Sequence, residues 1–223
     1  MDRRIKHLQT ILRQSLNKFI QLVDNKGCLN EVVLIKSDWE KFLKDEKRIA
    51  KYDKCISNLE SLIGFGRELS KNLPFKNLIN RVAERFAEID LAEHIIREYF
   101  LEKQDNNRLE KLIEKSNTGK TCDFRLKLPQ SVACFEAKYT SSISEGSIKS
   151  ITKRALAQIL ETDKNVSVGV VWIFTYQSSE EPSKFQDLVV RVKSELQKTS
   201  ALHFLLSVQA YSSGLYGDCI VGT

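Results

Sequence analysis

The chain has 223 residues, 42% hydrophobic and 29% charged, with Lys+Arg 35 against Asp+Glu 29 and a formal charge of +6. This composition buries a real core and excludes a disordered tail, and the length suits one large domain or a domain with a helical appendage. The mild basicity agrees with an anionic partner such as nucleic acid, but charge speaks to partners and solubility, not to fold.

No apolar run reaches the roughly 18 residues that a membrane-spanning helix needs. The N-terminal Met1-Asp2-Arg3-Arg4-Ile5-Lys6-His7 leads into an amphipathic pattern in place of an apolar signal core. Cys28, Cys55, Cys122, Cys134 and Cys219 are scattered, odd in number and free of any C-x-x-C. They read as reduced thiols, so a cytoplasmic location is expected. His7, His94 and His203 lie too far apart for a compact His/Cys zinc site.

The first hundred residues are expected to be helical. Ile5, Leu8, Ile11, Leu12, Leu16, Phe19, Ile20 and Val23 form one apolar stripe, broken at Asn25-Lys26-Gly27. A short apolar run, Val32 to Ile35, precedes Ser37-Asp38-Trp39-Glu40, which fits a capping box. A second helix is predicted from there to Ile63, stopped by Gly64 and Gly66. Pro74 opens a third helical stretch through Leu78, Ile79 and Val82.

Beyond residue 108 the period changes. Leu109 to Ile113 is strand or helix by period alone. Cys122 to Leu128 and Val132 to Tyr139 alternate as strands around Pro129-Gln130-Ser131, and Ser147 to Leu160 is an amphipathic helix. Val166 to Tyr176 reads as a buried central strand, Phe185 to Leu196 as helix, and His203 to Tyr211 and Asp218 to Val221 as strands. The second half is therefore a mixed α/β domain.

Two glycine motifs fail. Gly119-Lys120-Thr121 lacks the first P-loop glycine, since Glu114 stands there, and Gly64-Phe65-Gly66 follows a helix and lacks a third glycine. There is no Gly-x-Ser-x-Gly elbow for an acyl-transfer serine.

One arrangement carries chemistry. Side chains alternate along a strand, so Glu136 and Lys138 share a face. Asp123 joins them only if the hairpin connection is even, most simply a Leu128 to Ser131 turn with Pro129 in its second position. Two carboxylates held together repel, and a divalent cation relieves them. Mg²⁺ suits such an oxygen-rich site, and an ammonium beside it stabilises charge developing at an attacked phosphorus. The bland alternative is a charge pair on a half-exposed strand.

At these residues the chain resembles the PD-(D/E)xK phosphodiesterases, which include restriction endonucleases and Holliday junction resolvases. Thr121-Cys122-Asp123-Phe124 matches the P-D half, with Cys122 for the usual proline, and Phe135-Glu136-Ala137-Lys138 matches E-x-K. Ala155-Leu156-Ala157-Gln158 stands where the family often carries a glutamine. The resemblance covers roughly residues 80 to 176, under half of the chain. It implies an α/β fold with a restriction endonuclease-like mixed-sheet core (αβββαβ) over 81–223, behind a helical region over 1–80 that docks substrate or dimerises.

The resemblance also implies site roles. Asp123, Glu136 and the Ala137 backbone carbonyl hold Mg²⁺ (Mn²⁺ as a substitute), and Lys138 orients the attacking water. A carboxylate from the first core helix completes the site: Glu88, whose following spacing at Ala92 and Ile95 faces inward, or Glu93. Gln158 joins the catalytic set, and Lys149, Lys153 and Arg154 are candidate phosphate contacts. The expected activity is a Mg²⁺-dependent endonuclease acting on double-stranded DNA, without membrane association, and dimeric if it cuts both strands. The alternatives are a catalytically inactive nucleic-acid-binding or assembly module of the same fold, and an RNA-directed nuclease.

Overall fold

The computed structural model describes residues 2–24, 30–100, 108–113, 121–177, 182–212, 215–216 and 220–222. The chain divides into two compact units, Met1–Lys111 and Leu112–Thr223, so residues 81–111 group with the helical unit. Gly119, Lys120, Cys28 and Cys219 lie outside the described residues.

The first unit is mostly helical. Helix α1 (Arg3–Val23) is capped by the Asp2 side chain, which accepts from the Arg4 backbone N–H. It buries Ile5, Leu8, Leu12, Leu16, Phe19 and Val23, the stripe expected from spacing. Helix α2 (Asn30–Lys44) runs straight through Ser37. The expected capping box is therefore corrected: Val32, Ile35, Trp39 and Phe42 are buried along one continuous stripe, and a residue inside a helix has no orphan N–H groups to cap. The real stop is Asp45, whose side chain accepts from the Arg48 N–H and begins α3 (Glu46–Cys55).

The predicted helix to Ile63 is thus interrupted by Asp45 and by a short strand, β1 (Ile56–Ser57), before α4 (Leu59–Ile63) ends at Gly64. Gly66 donates its N–H to Ser15 Oγ at 3.0 Å, and a Cβ at position 66 would lie 2.7 Å from Ser15 Cα. Close backbone approach, not helix termination alone, requires that glycine. Helix α5 (Phe75–Ile95) follows Pro74, and β2 (Leu109–Lys111) pairs in parallel with β1.

The second unit is α/β, built on a mixed sheet. Its strands are β3 (Phe124–Leu128), β4 (Ser131–Tyr139), β5 (Val168–Thr175), β6 (Phe204–Ser212), β7 (Leu215–Tyr216) and β8 (Ile220–Gly222). Strand β3 is antiparallel to β4; β4, β5 and β6 are mutually parallel; β7 and β8 return antiparallel along β6. The parallel steps are made through α6 (Glu145–Thr162) and α7 (Pro182–Gln197).

Apolar residues of α6 (Ile148, Ile151, Ala155, Ile159) and α7 (Val189, Val192) share one buried cluster with Cys134, Val171, Ile173, Leu206 and Val208 of the strands. Both helices therefore cover one sheet face. Among the described residues no helix is long and apolar enough to cross a membrane.

Candidate metal and phosphate site

The β3–β4 hairpin sets the site. Leu128 pairs with Ser131, so Pro129 and Gln130 form a two-residue turn, and the register runs back to Phe124 opposite Phe135. One residue before that pair, Asp123 lies beside Glu136, to whose carboxylate its N–H donates. Along β4, Cys134, Glu136 and Lys138 alternate with Phe135 and Ala137. Cys134 belongs to the cluster beneath α6 and α7, so Glu136 and Lys138 occupy that face.

Backbone hydrogen bonds fix the two carboxylates. The Asp123 N–H donates to Glu136 Oε2 at 3.1 Å and to the Phe135 carbonyl at 3.0 Å, while the Ala137 N–H donates to Asp123 Oδ2 at 2.8 Å. Lys138 Nζ forms an ion pair with Glu136 Oε1. Glu136 is fully buried, Asp123 and Lys138 are partly exposed. Asp123, Glu136 and Lys138 are thus brought together, and Ala137 is tied to them through its N–H.

The last turns of α6 hold the chain just before Asp123. Gln158 Nε2 donates to the Thr121 carbonyl at 2.6 Å. The Cys122 N–H donates to Thr162 Oγ1 at 2.6 Å, and the Thr162 hydroxyl donates to the Gln158 carbonyl at 2.8 Å. Gln158 is 8% exposed and is committed to a backbone carbonyl. Thr162 was not singled out from sequence; its i+4 spacing from Gln158 on one helix face was the available signal.

Cys122 and Cys134 are both free and fully buried. The contact with Cys134, then burial, pushes the Cys122 thiol well above the usual cysteine range. Sequestered from solvent, it packs as a small apolar side chain next to Asp123.

Of the outer candidates, Lys149 pairs with Glu195 of α7, and that hydrogen bond holds the Glu195 carboxyl below its usual range. Lys153 and Arg154 are exposed on α6. In the helical unit, Glu88 is 3% exposed and lies between Lys111 Nζ and Arg85 Nη1, the latter at 2.7 Å. Glu93 is the half-exposed alternative, paired with Arg48.

The donor set suits a hard divalent cation. Each carboxylate offers about four acceptor positions, so the backbone N–H bonds, with the Lys138 ammonium on Glu136, orient both groups without exhausting them. Among the described residues no group of three or more His, Cys, Asp and Glu side chains is arranged to hold a metal ion. With two carboxylates, water and substrate phosphate would supply most ligands, as Mg²⁺ commonly accepts. Comparison with protein-family models, with curated proteins and with solved structures finds no match for this chain.

Proposed function

We propose that the protein is a Mg²⁺-dependent nuclease of the restriction endonuclease-like kind, hydrolysing phosphodiester bonds of double-stranded DNA. The observation that carries this reading is the juxtaposition of Asp123 and Glu136, whose carboxylates accept from the Ala137 and Asp123 N–H groups, with Lys138 on the same face of β4. Asp123 and Glu136 would hold Mg²⁺, which would supply a more acidic water ligand and charge to offset that developing on the phosphate. The Lys138 ammonium would orient the attacking water, and Gln158 with Thr162 keeps Asp123 in place. Of the two helical carboxylates, Glu88 is the more deeply buried, and both belong to the helical unit.

The test is nicking of supercoiled plasmid and of labelled RNA by the wild type with Mg²⁺, with EDTA, and by Lys138→Ala. Mg²⁺-dependent cleavage of plasmid, lost in Lys138→Ala, supports the reading. Cleavage of RNA alone reassigns the substrate. Binding without any cleavage favours an inactive nucleic-acid-binding module, which the engagement of Glu136 by Lys138 would also suit.

A further inference from the structure

We infer that the outward face of α1 is a docking surface for nucleic-acid phosphates, a step that rests on the nuclease reading for its choice of partner. From Arg3 to Val23 the helix carries Arg3, Arg4, Lys6, Arg13 and Lys18 and no acidic residue. With 3.6 residues per turn, Arg3 lies opposite the buried stripe and Lys6 and Arg13 lie on one exposed flank beside it. The exposed amides of Gln14, Asn17 and Gln21 share the side of Arg3.

Arg4 shows what a committed cation looks like on this helix. It points toward the flank and pairs with Asp53 at 3.1 Å and with Glu60. Arg3, Lys6 and Arg13 make no ion pair among the described residues. Three cations without an ion pair, interleaved with amide donors between the capping Asp2 and Asp24, match the groups that contact phosphate and sugar oxygens. Arg3 and Arg13 are about 15 Å apart along the helix axis, the span of roughly four phosphates on one DNA strand.

An anionic membrane would want the same charges together with an apolar edge to insert. The apolar side of α1 is already consumed by the core: Leu8, Leu12 and Phe19 are fully buried. That leaves a polar, cationic ridge, which fits a phosphate backbone and not a bilayer.

The experiment compares three full-length proteins by fluorescence anisotropy on a labelled duplex in EDTA, over a salt series. They are the wild type, an Arg3→Gln/Lys6→Gln/Arg13→Gln variant, and a control that removes three exposed charges elsewhere, Lys47→Gln/Lys51→Gln/Lys71→Gln. The α1 variant should lose about tenfold or more in affinity at low salt, and its slope of log K against log salt should be shallower by about 2.7, at about 0.9 per phosphate contact. The control should keep most of both. All three should melt together, since every altered side chain is exposed.

An unchanged slope in the α1 variant, an equal loss in the control, or preferential binding to phosphatidylserine vesicles over duplex would overturn the assignment. The two readings separate cleanly. Duplex binding that depends on α1 without Mg²⁺-dependent cleavage leaves the docking face standing and sinks the nuclease. Cleavage with an unchanged salt slope does the reverse.

Discussion

Asp123 and Glu136 are locked to each other through the main chain: the aspartate N–H holds the glutamate, and the residue after the glutamate holds the aspartate. Two carboxylates so placed repel when no cation lies between them. Asp123→Asn keeps an acceptor for the Ala137 N–H and removes the repulsion. In EDTA this variant should therefore be more stable than the wild type, by about 0.5–1 kcal/mol. It should lose Mg²⁺-dependent cleavage by about a hundredfold or more. Mg²⁺ should raise the melting temperature of the wild type, by mass action, and leave that of Asp123→Asn unmoved. An equal Mg²⁺ shift in both proteins would remove Asp123 from the ligand set.

Thr162 accepts from the Cys122 N–H, one residue before Asp123. Thr162→Val leaves that N–H without its acceptor, at a cost of about 1–3 kcal/mol, whereas Thr162→Ser retains the hydroxyl. Urea denaturation should rank the three proteins wild type, Ser, Val. The Mg²⁺ concentration for half-maximal cleavage should rise in Val and return toward normal in Ser. A Val variant that is destabilised yet titrates normally with Mg²⁺ would confine Thr162 to a structural part.

Glu88 is buried between Lys111 and Arg85, whereas Glu93 meets Arg48 at the surface. Glu88→Ala strips a carboxylate from a buried cation and should cost about 3–5 kcal/mol. Glu93→Gln should stay within about 1 kcal/mol of the wild type. Glu88→Gln decides between scaffold and chemistry. Lost cleavage with an intact melting curve assigns Glu88 to the reaction, and lost stability with normal activity in the remaining folded protein assigns it to the helical unit's own structure.

His94 has a lowered pKa through burial first and the nearby Arg97 second, with Arg97 Nη2 3.2 Å from His94 Nδ1. The unfolded chain therefore takes up the proton at a higher pH than the folded one. Its contribution is fully present above the usual histidine value of 6.5 and is lost as pH falls from there toward the lowered folded value. Denaturation midpoints measured across that window should fall in the wild type and fall less in His94→Gln. Parallel curves would mean that other groups carry the acid sensitivity.

Much of the second unit was legible because strand period and turn chemistry agree. Alternation marked β3 and β4, Pro129 fitted a two-residue turn, and the valine-rich Val168–Thr175 run is a strand paired on both sides. The first unit was harder. Ser37 carried the right residue types for a cap, but an apolar stripe continuing from Val32 to Phe42 outweighed them. Local spacing could suggest the Arg85–Glu88 pair, three apart on one helix, but not Lys111, twenty-three residues away. Thr162 stayed hidden for the same reason: its partner, Cys122, is forty residues distant.

The two-residue turn at Pro129 and Gln130 bears on how this hairpin could change over generations. Residues could be added or lost there in pairs, each pair changing the length of the arms and keeping Glu136 and Lys138 on Asp123's side of the sheet. A single insertion or deletion carried into the strand, instead of absorbed as a bulge in the loop, would rotate β4 by half a period, sending both charges into the position of Phe135 and Ala137 and bringing those two under α6. Length drift that leaves the turn is here as consequential as replacing the charged residues themselves.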